Sequence, residues 1–219
     1  MSLATQQAEP GGADFELTSP PMGLRELLWS DYQMAIVERD ESPARSRLLW
    51  PLRVLINPSL LFAFTVRLAQ KGPRWLLYPL RIIQVMCFSS EIHSFHGEDP
   101  LQIGPGISFP HPIGIIIGPG TKIGAGVTIY NNTNIGTNRH VPRREVARST
   151  PRLCDRCVIY AYSAVQGPFD IGPEGVVGLH VVLDEDVPGG ALKTHRLLRL
   201  AGEWPGENRT YWHPASERA

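Results

Sequence analysis

A step of six residues restricts this chain more than any other feature. Ile117, Ile123, Ile129 and Ile135 lie six apart, and a second set, Leu153, Ile159, Val165, Ile171, Val177 and Leu183, keeps the same step without a slip. Glycine follows three of the first four. Ile103 and Phe109 extend the first set towards the N-terminus, Ile115 continues it, and a two-residue shift carries the phase to Ile117. A period of six is neither the 3.6 of a helix nor the alternation of a hairpin strand, and it is the hexapeptide signature of a parallel β-helix. In that architecture three short strands per coil each add one aliphatic side chain to a central stack, and small or turn-forming residues round the corners. About four coils are expected. An arginine-rich excursion at 138–150, holding Arg139, His140, Arg143, Arg144 and Arg148, interrupts them.

The chain before Ser90 has a different texture. "LRELLWSDYQMAIVERDESPARSRLLWPLRVLINPSLLFAFTVRLAQKG" and "RWLLYPLRIIQVMCF" carry apolar residues at spacings of three and four, with prolines at 43, 51, 58, 73 and 79 dividing the segments. These are amphipathic helices. The apolar patches at 54–66 and 82–90 are bounded by charged residues and too short to cross a hydrocarbon core of about 30 Å, so they are expected to be buried helices. The division is a loose tail at 1–20, a helical region at 21–90, a β-helix at 91–190 and a C-terminal tail at 191–219.

Charge and cysteine content exclude several functions. The 219 residues carry 21 basic and 21 acidic side chains, so no net field recruits nucleic acid or an anionic membrane, and neither is expected as a partner. No Lys or Arg precedes Arg25 and no apolar block lies near Met1, which argues against a secretory signal and for the cytoplasm. Three cysteines cannot all pair within one chain, and Cys154-Asp155-Arg156-Cys157 is a lone C-x-x-C without a second pair at zinc-ligand spacing. Reduced thiols and no metal are expected. "GPGTKIGAG" superficially resembles a phosphate-binding loop, but its glycines follow the six-residue step and no Walker spacing accompanies them.

Over residues 24–200 the chain resembles the serine O-acetyltransferases of the hexapeptide-repeat acyltransferases. "DYQMAIVERDESPARSR" is similar to that family's helical segment with an acidic turn, "SEIH" to its junction of helix and β-helix, and "FPHPIGIIIG" to its catalytic histidine turn. "TPRLCDRCVIYAYSAVQGPFDIGPEGVVG" is similar to the later coils. The resemblance implies a mainly β fold, a left-handed parallel β-helix preceded by a helical subdomain. It also implies a homotrimer or dimer of trimers with the active site between subunits, a sulfhydrylase as candidate partner, and a place in cysteine biosynthesis.

The implied reaction moves acetyl from acetyl-CoA to the hydroxyl of L-serine or a related small hydroxy amino acid, without a metal. A hydroxyl attacks a thioester only as its proton is removed, so the reaction needs a base. His111 takes that role, imidazole being suited to accept a proton and return it to the leaving thiolate. A carboxylate on the other ring nitrogen fixes the tautomer. Glu91 matches that position, with Asp99 as a competing assignment. Asp40 matches an acid that helps hold the acceptor, Arg139 and His140 match an acceptor-binding pair, and Ala161, Gly178 and Lys193 match positions along the coenzyme.

Departures from the family pattern keep other readings open. Pro110 stands where an acidic residue usually precedes the catalytic histidine, and Ser149-Thr150 stand where an Arg-His pair usually precedes Pro151. Tyr160 and Tyr162 flank Ala161 where small residues usually accommodate the pantetheine arm. The alternatives are a different acyl acceptor or donor on the same fold, or a catalytically silent trimeric scaffold.

Overall fold

The computed structural model describes residues 22–37, 52–92, 96, 100–137 and 149–194. Among the described residues, α1 (Leu24–Val37), α2 (Pro58–Lys71) and α3 (Leu77–Phe88) precede the strands, with helical residues also at 52–56 just ahead of α2 and a 3-10 turn at Arg74–Leu76 before α3. Local chemistry sets their ends. Glu26 reaches back to the Gly23 N–H at the start of α1, as an acidic residue in a first turn should. The Asn57 side chain accepts from the Ser59 and Leu60 N–H groups, Pro58 opens α2, and the Gly72 N–H closes it on the Leu68 carbonyl. α3 stops at Ser89, which turns left-handed at φ 47°.

Among the described residues twelve short strands follow: β1 (Glu91–Ile92), β2 (Gln102–Ile103), β3 (Ile116–Ile117), β4 (Lys122–Ile123), β5 (Thr128–Ile129), β6 (Asn134–Gly136), β7 (Arg152–Leu153), β8 (Val158–Ile159), β9 (Ala164–Gln166), β10 (Asp170–Ile171), β11 (Val176–Val177) and β12 (Leu192–Lys193). They form three parallel sheets, ordered β1-β3-β6-β9, β2-β4-β7-β10 and β5-β8-β11-β12. From β3 to β11 every third strand therefore returns to the same face of a three-sided prism.

The register shows why the period is six. On the first face Ile92, Ile117, Ile135 and Val165 lie in line. Ile103, Ile123, Leu153 and Ile171 line up on the second, and Ile129, Ile159 and Val177 on the third. From Ile117 onward every one of these side chains is sealed from solvent. Residues two positions earlier, among them Ile107, Ile115, Thr121, Val127, Thr133 and Cys157, also turn inward and are buried. Each coil thus contributes a second, more varied ring to the core, which the step of aliphatic residues did not reveal.

The helices are tied to the first coil by an aromatic cluster. Phe62 of α2 meets Phe88 of α3 and Phe109 edge-on, with ring centroids 5.0 Å apart in both pairs, a favoured geometry for aromatic rings. One expectation fails here: the 82–90 patch is not a buried helix in this chain. Leu80, Gln84 and Phe88 turn inward, whereas Ile82 and Met86 remain 62% and 76% exposed.

Candidate active site

His111 sits where the six-residue step slips. Eight residues separate Phe109 from Ile117 instead of six, and the extra two lengthen the corner between the third and first faces. Pro110 and Pro112 restrict the backbone on either side of the histidine. Side chains at two helix ends hold the turn from both flanks. Ser59 Oγ, in the first turn of α2, donates to the Pro110 carbonyl at 2.8 Å. Ser90 Oγ, just beyond α3, lies 3.2 Å from the Pro112 carbonyl and accepts from the Ile115 N–H at 3.0 Å. The Gly114 N–H donates to the Phe88 carbonyl at 3.1 Å. Gly114 itself has φ +69°, and a Cβ there would lie 2.3 Å from Asn132 Oδ1, so the corner needs glycine. The imidazole is left exposed on a fixed backbone.

Aromatic rings continue along the same corner. The His111 and Tyr130 centroids are 6.4 Å apart, and Tyr130 stacks on Tyr160 at 5.1 Å with 13° between planes. Tyr162 and His180 form a second stacked pair at 4.9 Å. Both adopt positive φ, at 60° and 56°, in corner positions equivalent to Gly114 and Asn132. Tyr130 was not among the residues singled out from the sequence; a signal was present, since it immediately follows Ile129 on the histidine's face, as Tyr160 follows Ile159.

The other candidates are placed as follows. Glu91 opens β1 next to Ser90, pairs in register with Ile116, and its carboxylate engages the Arg81 guanidinium of α3. Ala161 is buried, and its carbonyl accepts from the His180 N–H at 3.2 Å. Gly178 lies beneath the last strand, where a Cβ would come 3.1 Å from the Lys193 carbonyl and 3.2 Å from Thr194 Cγ2. Lys193 aligns with Val177 at the end of the third stack. Its ammonium is held by Asp184, at 3.0 Å, and by Glu185. Asp40, Arg139 and His140, and the alternative Asp99, lie outside the described residues. Among the described residues, no three His, Cys, Asp or Glu side chains are grouped to hold a metal ion, and no helix is long and apolar enough to cross a membrane.

No family model matches the chain. A serine acetyltransferase of Helicobacter pylori is 28% identical over 168 residues, which span 75% of this chain and 92% of that protein. Over three quarters of its length the chain is similar to serine acetyltransferases. A Mycobacterium tuberculosis serine acetyltransferase is 31% identical over 90 residues, 41% of this chain and 38% of the relative. Among solved structures, serine acetyltransferase isoform 3 from Entamoeba histolytica, in complex with cysteine, superposes with a TM-score of 0.59 at 20% identity, over 84% of this chain and 60% of that one. The Neisseria gonorrhoeae serine acetyltransferase in complex with serine gives 0.58 at 20% identity, over 77% and 65%. This chain therefore spans about six tenths of the length of these solved serine acetyltransferases. The fold they share with it is the left-handed parallel β-helix behind a helical region.

Proposed function

We propose that this protein transfers the acetyl group of acetyl-CoA to the hydroxyl of L-serine or a related small hydroxy amino acid, with His111 as the base. The observation that carries this reading is the Pro110-His111-Pro112 turn. It presents an exposed imidazole on a backbone anchored by Ser59 and Ser90, in a chain similar to serine acetyltransferases over three quarters of its length. His111 takes the hydroxyl proton as the oxygen attacks the thioester carbonyl. It then returns that proton to the coenzyme sulfur as the carbon–sulfur bond breaks. Such transfer is worth roughly 10²- to 10⁴-fold in rate. Glu91 or Asp99 orients the imidazole; for Glu91 the Arg81 contact competes for the carboxylate.

The remaining assignments stand as parts of the same proposal. Ala161 and Gly178 border the coenzyme's path, and Lys193 faces its phosphates after exchanging them for Asp184 and Glu185. Asp40, Arg139 and His140 hold the amino-acid acceptor. A homotrimer, or a pair of trimers, completes the site. In support, Lys122, Arg152 and Asp170 project from the second face of the prism, whereas on the first face only Glu91, paired with Arg81, is charged beside Ile116, Asn134 and Ala164, and Thr128, Val158 and Val176 on the third carry no charge. Two flanks poor in charge beside one charged flank suit packing against neighbouring copies. The cytoplasm is the proposed location.

One observation favours a second reading. Tyr130 and Tyr160 stack beside His111, and such rings provide an apolar platform larger than serine requires, which suits a bulkier acceptor or acyl group. Thiol release from acetyl-CoA across a panel of hydroxy amino acids separates the two. Release with L-serine supports the first, and release only with bulkier hydroxyl compounds supports the second.

A further inference from the structure

The polarity of α3 is inverted. Gln84 faces inward and donates to Thr65 Oγ1 at 3.2 Å. The outward side chains Tyr78, Ile82, Val85 and Met86 are apolar and 81%, 62%, 45% and 76% exposed, and Trp75 in the preceding turn is 73% exposed. At 100° per residue these five positions share one face about 100° wide. A surface helix normally shows the opposite arrangement. An aromatic side chain carries about 150–250 Å², so with its aliphatic members the patch exceeds the few hundred Å² that soluble monomers usually leave open.

Charge on the same region indicates what covers it. The chain is neutral overall, yet no Asp or Glu lies between Glu41 and Glu91, a stretch that holds Arg45, Arg47, Arg53, Arg67, Lys71, Arg74 and Arg81. The elements packed on α3 are α2, the 3-10 turn and β1. Arg67 is buried against Asp31, and Arg81 engages Glu91, the one acidic residue of these elements. Lys71 and Arg74, both exposed, remain beside Trp75 as excess positive charge. A second copy docked face to face through this surface about a two-fold axis would set these cations against their own counterparts.

We propose that the outer face of α3 rests on an anionic lipid surface. Ile82 and Met86 enter the acyl boundary, Trp75 and Tyr78 lie at headgroup level, and Lys71 and Arg74 meet the lipid phosphates. Twelve residues make a helix of about 18 Å, too short to span and suited to lying in the plane.

The test is flotation of the full chain with vesicles of phosphatidylcholine, alone or mixed with phosphatidylglycerol. The protein should float with the mixed vesicles, weakly with phosphatidylcholine alone, and less as salt rises to about 0.5 M, where screening shortens the reach of surface charge. The Trp75→Ser/Ile82→Ser/Met86→Ser variant should lose more than about tenfold in bound fraction, with circular dichroism and scattering mass unchanged. Lys71→Glu and Arg74→Glu should each weaken binding to mixed vesicles by about fivefold or more. The proposal is overturned if the protein fails to float with mixed vesicles. It is also overturned if the triple variant floats as well as the parent, or if that variant has a lower scattering mass, which would make the face a contact between copies.

Discussion

Asp31 of α1 and Arg67 of α2 form a two-point ion pair closed off from water. Arg67 Nε lies 2.7 Å from Asp31 Oδ2 and Nη2 lies 2.8 Å from Oδ1. The same guanidinium donates to the Ile103 and Gly104 carbonyls, and Asp31 Oδ1 accepts from the Ile107 N–H. The pair thus grips the backbone of the first coil just before the histidine corner. Burial pushes the Asp31 carboxyl up, against the opposing pull of Arg67 and of the Ile107 and Gly106 N–H groups. Arg67→Met leaves that carboxylate without its counter-charge and should cost about 3–5 kcal/mol. Removing both charges in Asp31→Leu/Arg67→Met should cost less than the single change. Denaturant midpoints check this, and a double variant as unstable as the sum of the two single ones would contradict it.

Cys157 makes stability depend on alkaline pH. Its thiol lies inside the prism, 3.1 Å from the Gly172 carbonyl, and burial, with a smaller contribution from Cys154, pushes it up from 9.0 to about 12. Below about pH 9 the thiol is protonated in both states and its contribution is complete. Above that pH only the unfolded chain releases the proton, so stability falls as pH rises towards 12, by up to about 1.4 kcal/mol per unit. In Cys157→Ala this loss should disappear, as denaturation at successive pH values would show. Iodoacetamide should modify the exposed Cys87 well before Cys157.

The inward stacks should dominate stability. Ile129→Ala opens a cavity in the third stack and should cost about 2–5 kcal/mol. Lys122→Ala, on the outer side of the second face, should stay within about 0.5 kcal/mol. Equal losses in thermal unfolding would mean that the stacks are not the core.

Gly114→Ala tests the link between backbone strain and the site. A left-handed alanine should cost about 1–3 kcal/mol, and any relaxation of the corner moves His111. Turnover should fall along with the melting temperature. An unchanged turnover at unchanged stability would show that the corner tolerates a side chain.

The aliphatic step of six carried the fold because each such side chain has one interior position to occupy, and the coils of Ile117, Ile123 and Ile129 appeared from spacing alone. His111 was identifiable because it interrupts that step inside a motif resembling a known turn. The Asp31–Arg67 pair was not, since its partners are 36 residues apart and only the packed helices bring them together. The Arg81–Glu91 contact was hidden for a similar reason: a side chain within α3 reaches the first strand past a turn with no period of its own. The outward face of α3 was misjudged because apolar spacing marks which residues avoid water without showing what covers them. Asp40, Arg139 and His140 remain readings of the resemblance alone.

The measurement that bears most directly on the account is the turnover of acetyl-CoA with L-serine by the parent chain and by His111→Ala, each with its oligomeric mass checked. If His111 is the base, the parent should release coenzyme thiol in a serine-dependent manner, and the variant should fall by about 10²- to 10⁴-fold in turnover with its assembly unchanged. A His111→Ala enzyme that keeps near-full serine-dependent turnover would contradict it.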